Sequence, residues 1–311
     1  MIQDIEPRKF DIAYRNVEAE NKDYALLFND EMAMMKQPEG QDKDAEFLTF
    51  EELKNMGMVS EIQESATYLF SIDDNKYFLV NQQTMKQNVS KDALTCKAEL
   101  MDWQGKETSD GKVLVWHSET VFRTLGQKWL GFVGITAAQI NRWLLNHKYC
   151  GRCGKPFQQS KTERSLVCET CNITEYPRIS PAIIVGIVDG GKLLLTRYAD
   201  RPYKRYALIA GFGEVGESLE GTVKREVMEE VGLKVKDITY YKSQPWSFSD
   251  SLLVGFFARL DGDNTVTLED GELAEGTWFS REKIPVNSEE IALTSEMIRY
   301  FAAGNDVFNG K

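Results

Sequence analysis

The sequence predicts an α/β domain and a smaller α+β domain, with a four-cysteine metal-binding segment between them. Three observations point there. The chain has 311 residues, which at ~100–200 residues per domain leaves room for two. Four of its five cysteines stand as Cys150-x2-Cys153 and Cys168-x2-Cys171. Beyond them, apolar runs lead into a short capped helix, Ser218 to Gly232, with three carboxylates on one face.

Composition sets the outer bounds. With 42% hydrophobic residues the chain can fill packed cores, and no apolar run approaches the ~18 residues of a membrane span. The start, MIQDIEPRKFD, lacks the basic-then-apolar order of a secretion signal. A soluble, cytoplasmic protein with no membrane partner is expected. The net charge of −11 argues against a general nucleic-acid binder, which carries a basic footprint. It leaves room for a polyphosphate ligand whose charge is met by metal ions.

Residues 1–127 read as the α+β domain. Phe50 to Gly57 has the look of a short helix with a glycine stop. Strand-like runs at Ala66–Ile72 and Lys76–Val80 flank the turn Asp73-Asp74-Asn75, and Lys112–His117 follows Ser109-Asp110-Gly111. An antiparallel sheet without a catalytic constellation is expected. Residues 128–147 are apolar at helical spacing and form a connecting helix. The chain has two histidines, His117 and His147, and that scarcity argues against histidine-based nucleophilic catalysis.

Residues 148–175 hold the paired cysteines. Two C-x2-C knuckles at this separation read as a four-thiolate zinc ribbon with ligands Cys150, Cys153, Cys168 and Cys171. Such a site has no open position, so one structural Zn²⁺ per chain is expected. Cys96 stands apart and reads as an inert buried thiol.

Residues 176–311 are the α/β part. Ala182–Val188 is nearly continuous in apolar residues, as in a strand buried on both faces. Gly190-Gly191 turns the chain into a return strand, Lys192–Arg197. The segment Arg197 to Tyr206 interleaves four cations with three tyrosines; it reads as an exposed loop, with phosphate contact as the second possibility. Strands follow at Ile238–Ser243 and Leu252–Leu260, and a terminal helix at Ser288–Ala303. Between the strands, Ser243 to Ser251 is aromatic and polar at once, and Trp246 and Phe248 could stack on a base.

The capped helix carries the chemistry. Ser218 suits an N-cap and Gly232 a left-handed C-terminal stop. Between them Glu226, Glu229 and Glu230 stand at i, i+3 and i+4, on one face and mutually repulsive. A hard cation such as Mg²⁺, bound by carboxylates and substrate phosphates, relieves that repulsion; a solvated acidic face is the plainer alternative. Gly221 within this helix costs about 1 kcal/mol relative to Ala, and nothing in the sequence accounts for it.

Gly211, Glu217, Arg225-Glu226-Val227, Glu229-Glu230 and Gly232-Leu233 match the Nudix box, G-x5-E-x7-R-E-U-x-E-E-x-G-U, at every fixed position. The chain therefore resembles the Nudix hydrolases, which implies an α/β/α sandwich with a mixed sheet and cleavage of a nucleoside diphosphate linked to another group. The cysteine pairs, Tyr176-Pro177-Arg178-Ile179, the box and Ser243-Gln-Pro-Trp-x-Phe-x-x-Ser251 follow one another in that order. That arrangement resembles the NADH pyrophosphatase subfamily, whose bacterial members also remove NAD caps from RNA. Its hallmark S-Q-P-W-P-F-P-x-S is kept except that Ser247 and Ser249 stand for two prolines, which loosens the loop.

The resemblance implies hydrolysis of NADH or NAD to the nicotinamide mononucleotide and AMP, and a homodimer; the 5′ end of NAD-capped RNA is a further partner. It puts two or three Mg²⁺ or Mn²⁺ ions on Glu226, Glu229 and Glu230, with the Ala210 carbonyl and Glu272, Glu275 being the second choice for the last. One of the three helix glutamates would serve as base, with Arg225 orienting a neighbour. Substrate contacts would fall on Glu163, Tyr176, Phe212, Gln244, Pro245, Trp246, Ser247, Phe248, Ser249, Asp250, Ser251 and Ala292. Two alternatives stand beside this: a Nudix hydrolase of another derivative such as ADP-ribose, and a non-catalytic nucleotide-sensing regulator. The intact box and the charge of −11 argue against the regulator.

Overall fold

The computed structural model describes residues 1–57, 60–81, 102–199, 205–268, 273–285 and 291–308. Cys96, Glu272, residues 200–204 of the cationic segment and the first residues of the expected terminal helix lie outside them. The chain divides into two compact units, Asp4–Arg178 and a second made of Met1–Gln3 with Ile179–Lys311.

The first unit opens with strands β1 (Phe10–Asp11), β2 (Tyr24–Asn29), β3 (Met32–Gln37) and β4 (Leu48–Thr49). Helices α1 (Phe50–Asn55) and α2 (Ser60–Glu64) follow, then β5 (Thr67–Ile72), β6 (Asn75–Asn81), β7 (Val113–Ser118) and helix α3 (Lys128–Asn146). The seven strands form one sheet, β1-β5-β6-β2-β3-β7, with β4 on β2. The expected antiparallel sheet is in fact mixed, because β2 and β6 run parallel. Thr49 caps α1 through a reciprocal pair, accepting from the Glu52 N–H at 3.2 Å while the Glu52 carboxylate accepts from the Thr49 N–H at 2.8 Å. The histidines are structural: His117 is buried against Gln37, and His147 bonds the Trp143 carbonyl. The unit ends in three short strands, β8 (Gln158–Gln159), β9 (Leu166–Cys168) and β10 (Ile173–Glu175), that form their own antiparallel sheet.

The second unit is built on β11 (Ser180–Asp189), β12 (Lys192–Tyr198), β13 (Ile209–Phe212), helix α4 (Leu219–Val231), β14 (Val235–Trp246), β15 (Ser251–Leu260), β16 (Leu273–Ser280) and helix α5 (Leu293–Ala302). The strand order is β14-β15-β11-β12-β16, with β13 on β11. β11 and β15 are parallel and the other pairs antiparallel, a mixed sheet.

β11 is apolar on both faces because each face meets a helix. Ile183, Val185 and Ile187 pack with Val223, Val227 and Val231, the i, i+4, i+8 stripe of α4. Ile184 and Val188 point the other way, into the cluster formed by Leu293, Met297, Ile298 and Phe301 of α5. The result is the expected α/β/α sandwich.

Candidate active site and metal centre

Local chemistry fixes both ends of α4. The Ser218 hydroxyl accepts from the Gly221 N–H at 3.1 Å, and Gly232 takes φ 68° while its N–H reaches the Met228 and Val227 carbonyls. Gly221 thus lies in the first turn rather than the interior. A Cβ there would stand 3.2 Å from Glu217 Cγ and 3.3 Å from Ser218 Oγ, so the glycine leaves room for Glu217 to fold back over the helix start.

Arg225 is the hub of the acidic face. Its Nε and Nη2 donate to the two oxygens of Glu217, each at 3.0 Å, a bidentate pair. Nη1 donates to Glu226 Oε1 at 2.7 Å and Glu229 Oε2 at 3.0 Å, and Nη2 also reaches the Phe212 carbonyl at 2.8 Å. One guanidinium therefore orients three carboxylates and ties the β13–α4 loop to the helix. The hydrogen bonds from Arg225 hold the Glu217 carboxyl down at about 2, helped by the Glu214 N–H and the Thr222 hydroxyl.

A pH dependence follows from that shift. The Glu217 pKa is depressed on folding from an ordinary value of 4.5 to about 2. Its contribution is therefore complete above the ordinary value and is lost as pH falls through the folded one. Urea midpoints measured across that acid window should fall less steeply for Glu217→Gln than for the wild type.

Gly211 explains how Glu226 reaches the sheet. A Cβ on Gly211 would lie 2.0 to 2.3 Å from the Glu226 carboxylate atoms, so the absent side chain is the space that carboxylate occupies. The expected glycine-rich turn is strand up to this point, since β13 runs through Phe212 and pairs Gly211 with Ile183 and Ala210 with Ile184. Ala210, Gly211 and Phe212 are in this way brought beside α4, with the Phe212 ring 54% exposed.

The three helix glutamates differ in surroundings. The Glu226 side chain is 13% and that of Glu229 52% exposed, while Glu230 is buried. Among the described residues, the four cysteines are the group of His, Cys, Asp or Glu side chains gathered closely enough to hold an ion as they stand. The α4 carboxylates are spread by Arg225, but Glu226 and Glu229 each bond it through one oxygen, and a carboxylate has two. Hard oxygen donors held beside a backbone cradle suit Mg²⁺ or Mn²⁺. Glu275 is less suited: its carboxylate accepts from Tyr206 at 2.7 Å, from Thr277 at 2.9 Å and from Arg197. Those bonds, Tyr206 first, lower its pKa.

Gln244 to Ser251 is a hairpin rather than a loop. β14 continues through Pro245, opposite Leu252, to Trp246, opposite Ser251; the proline is tolerated because β14 is an edge strand. Trp246 and Phe248 pack on each other with centroids 5.0 Å apart. Ser247 is buried, and Ser249 and Ser251 bond hydroxyl to hydroxyl at 3.0 Å, so one of the two replaced prolines gives the turn a hydrogen bond. Asp250 sits at the turn with φ 53°. Gln244 is fully buried, and its amide bonds within the protein, its oxygen accepting from the N–H of Leu293, next to Ala292.

In the first unit, Glu163 Oε1 accepts from Tyr176 and Ser165, each at 3.1 Å, so two expected contacts are joined there. The sulfurs of Cys150, Cys153, Cys168 and Cys171 lie within 4.8 Å of one another, as four thiolates around one Zn²⁺ require. Backbone N–H groups of Cys153 and Arg152 point at the Cys150 sulfur and lower its pKa to about 7, whereas burial raises that of Cys168 and the neighbouring Cys153 sulfur raises that of Cys171, so it is the cation that lets all four bind as thiolates.

Comparison with known families agrees with this geometry. Residues 145–176 match the NADH pyrophosphatase zinc ribbon domain, and residues 177–301 match the NUDIX domain. Residues 177–301 are a Nudix domain. Curated relatives include proteins named NAD-capped RNA hydrolase NudC. That of Pseudomonas fluorescens is 43% identical over 149 residues, 48% of this chain and 54% of the relative. That of Salmonella typhi is 42% identical over 148 residues, 48% of this chain and 57% of the relative. The matched segment thus spans about half the length of these relatives. A crystal structure of a NUDIX hydrolase from Nitrosomonas europaea aligns with TM-score 0.43 and 23% identity, covering 50% of this chain and 90% of that one.

Thr222 of the Nudix domain carries no signal in the sequence. It is fully buried, and its hydroxyl donates to Glu217 Oε2 at 2.9 Å; only the fold brings the two together. Gly211→Ala should leave the Nudix domain folded, since the side chain it displaces ends in a flexible carboxylate, and should cut turnover about 10-fold or more through misplaced Glu226. Steady-state kinetics beside a thermal melt tests both halves.

Proposed function

We propose that the chain hydrolyses the pyrophosphate bond of NADH and NAD, giving the nicotinamide mononucleotide and AMP, and that it removes NAD caps from RNA. Water adds across the bridging P–O bond, so each product leaves with one phosphate. The observation that carries this reading is the pairing of the α4 carboxylates with a zinc ribbon of the NADH pyrophosphatase type. The NudC relatives support the RNA-cap half.

Glu226, Glu229 and Glu230 are the residues that hold Mg²⁺ or Mn²⁺ in this reading, with the Ala210 carbonyl and Glu272 completing the set. When bound, such ions neutralise phosphate oxygens and lower the pKa of water. The protein's share is orientation and proton transfer. Arg225 fixes Glu226 and Glu229, and Glu230, the buried member, takes the proton of the attacking water. Phe212, exposed beside the site, and the Trp246–Phe248 pair offer faces for the rings of a dinucleotide. Glu163 and Tyr176, Pro245 with Ser247 to Ser251, and Ala292 are the further contacts. The working protein is a cytoplasmic homodimer; no helix among the described residues is long and apolar enough to cross a membrane.

Product analysis tests the proposal. NADH, NAD, ADP-ribose and NAD-capped RNA are supplied separately with Mg²⁺ or Mn²⁺. Release of AMP and the nicotinamide mononucleotide from NADH or NAD, and of 5′-monophosphate RNA from the capped RNA, is expected. Cleavage of ADP-ribose with both dinucleotides untouched contradicts it.

A further inference from the structure

Met1–Gln3 belongs to the compact unit of the Nudix domain, not to the one that follows it in sequence. Ile2 is buried, and its N–H donates to the Ile291 carbonyl at 2.9 Å. Gln3 Oε1 accepts from Gln244 Nε2 at 2.9 Å, and the same nitrogen donates to the Ile291 carbonyl at 2.8 Å. The other end of that amide, Gln244 Oε1, accepts from the Leu293 N–H at 2.7 Å.

Leu293 begins α5, whose N-cap, Ala292, has no side-chain acceptor. Gln244 supplies the acceptor that the cap lacks. One buried amide therefore joins the chain's first residues, the end of β14 and the start of α5. An amide can satisfy these partners in one orientation only, nitrogen toward Gln3 and oxygen toward Leu293. The Gln3 oxygen helps to select it.

Gln244 stands two residues before Trp246 on β14 and, through Leu293, touches the residue after Ala292. We infer that Gln3 is a positioning residue: through Gln244 it sets the register between the Trp246–Ser251 turn and the start of α5, and so the substrate-binding surface they share. The inference rests on the dinucleotide reading above. Gln3 takes no part in cation binding on α4.

Gln3→Leu keeps the bulk and removes the acceptor; Gln3→Glu keeps an acceptor oxygen. For Gln3→Leu, KM for NADH should rise about fivefold, the weight of one hydrogen bond between uncharged groups, with kcat within about twofold of the wild type. The Leu293 amide should exchange its hydrogen faster, and Mn²⁺ affinity should be unchanged. Gln3→Glu should restore KM and the protection of Leu293. A wild-type KM in Gln3→Leu overturns the inference, as does a joint loss of kcat and Mn²⁺ affinity, which marks general loosening. A wild type that cleaves neither NADH nor NAD brings down the proposed function and this inference together, whereas an active wild type with an unaltered Gln3→Leu variant overturns the inference alone.

Discussion

Glu230→Gln is expected to lower turnover of NADH by about 10²–10⁴-fold, the range for loss of a general base, while the protein stays folded. Glutamine matches glutamate in volume, so the buried position next to Val231 keeps its packing. It can neither take up a proton nor bring negative charge to a cation. Glu226 and Glu229 each have an oxygen engaged by Arg225, and that guanidinium is held firmly charged by its three carboxylate partners, Glu217 first. A thermal melt and kinetics on the same sample decide it. Turnover near the wild-type rate would remove Glu230 from the chemistry; equal losses for glutamine replacements at all three positions would point to cation binding instead.

Zinc removal is the second large effect. The ribbon has three strands of two or three residues each, and its buried apolar groups are few: Phe157 and Leu166 beside Cys150 and Cys168. So small a core cannot hold itself together, and a structural Zn²⁺ is worth about 10–16 kcal/mol of apparent binding free energy in small zinc domains. Cys168→Ser should abolish stoichiometric zinc and unfold the ribbon, and the hydrogen bond from Tyr176 to Glu163 should break as it unfolds. Metal analysis and proteolysis across residues 145–176 read this out. A ribbon that resists protease without zinc would contradict it.

Much of the Nudix domain is legible in the sequence because its signals are local. The apolar run of β11, the Gly190-Gly191 turn and the valine stripe of α4 each follow from a few neighbouring residues, and Ser218 and Gly232 mark the helix ends as capping chemistry requires. The four cysteines are legible for the same reason. What the sequence hides is mostly long-range. The β2–β3 hairpin, with Asp30 in the left-handed region, is rich in methionine and has no strong strand signature, and the parallel pairing of β2 with β6 spans about fifty residues of chain. Strand alternation turns Gln244 inward, where Gln3 and Leu293 meet it, and neither partner is visible in the motif. Glu275 resembles a metal ligand only until its partners Arg197 and Tyr206, some seventy residues earlier, come into place. Arg225 shows the opposite case, since its helical spacing from Glu229 already implies an ion pair.

The most direct test of the account is Mn²⁺ binding followed by electron paramagnetic resonance, with no nucleotide present. The wild type should bind Mn²⁺, and Glu226→Gln should weaken that binding about 10-fold or more, with the zinc content unchanged. Equal Mn²⁺ affinity in the two proteins would contradict the claim that the carboxylates of α4 grip the cations that grip the diphosphate.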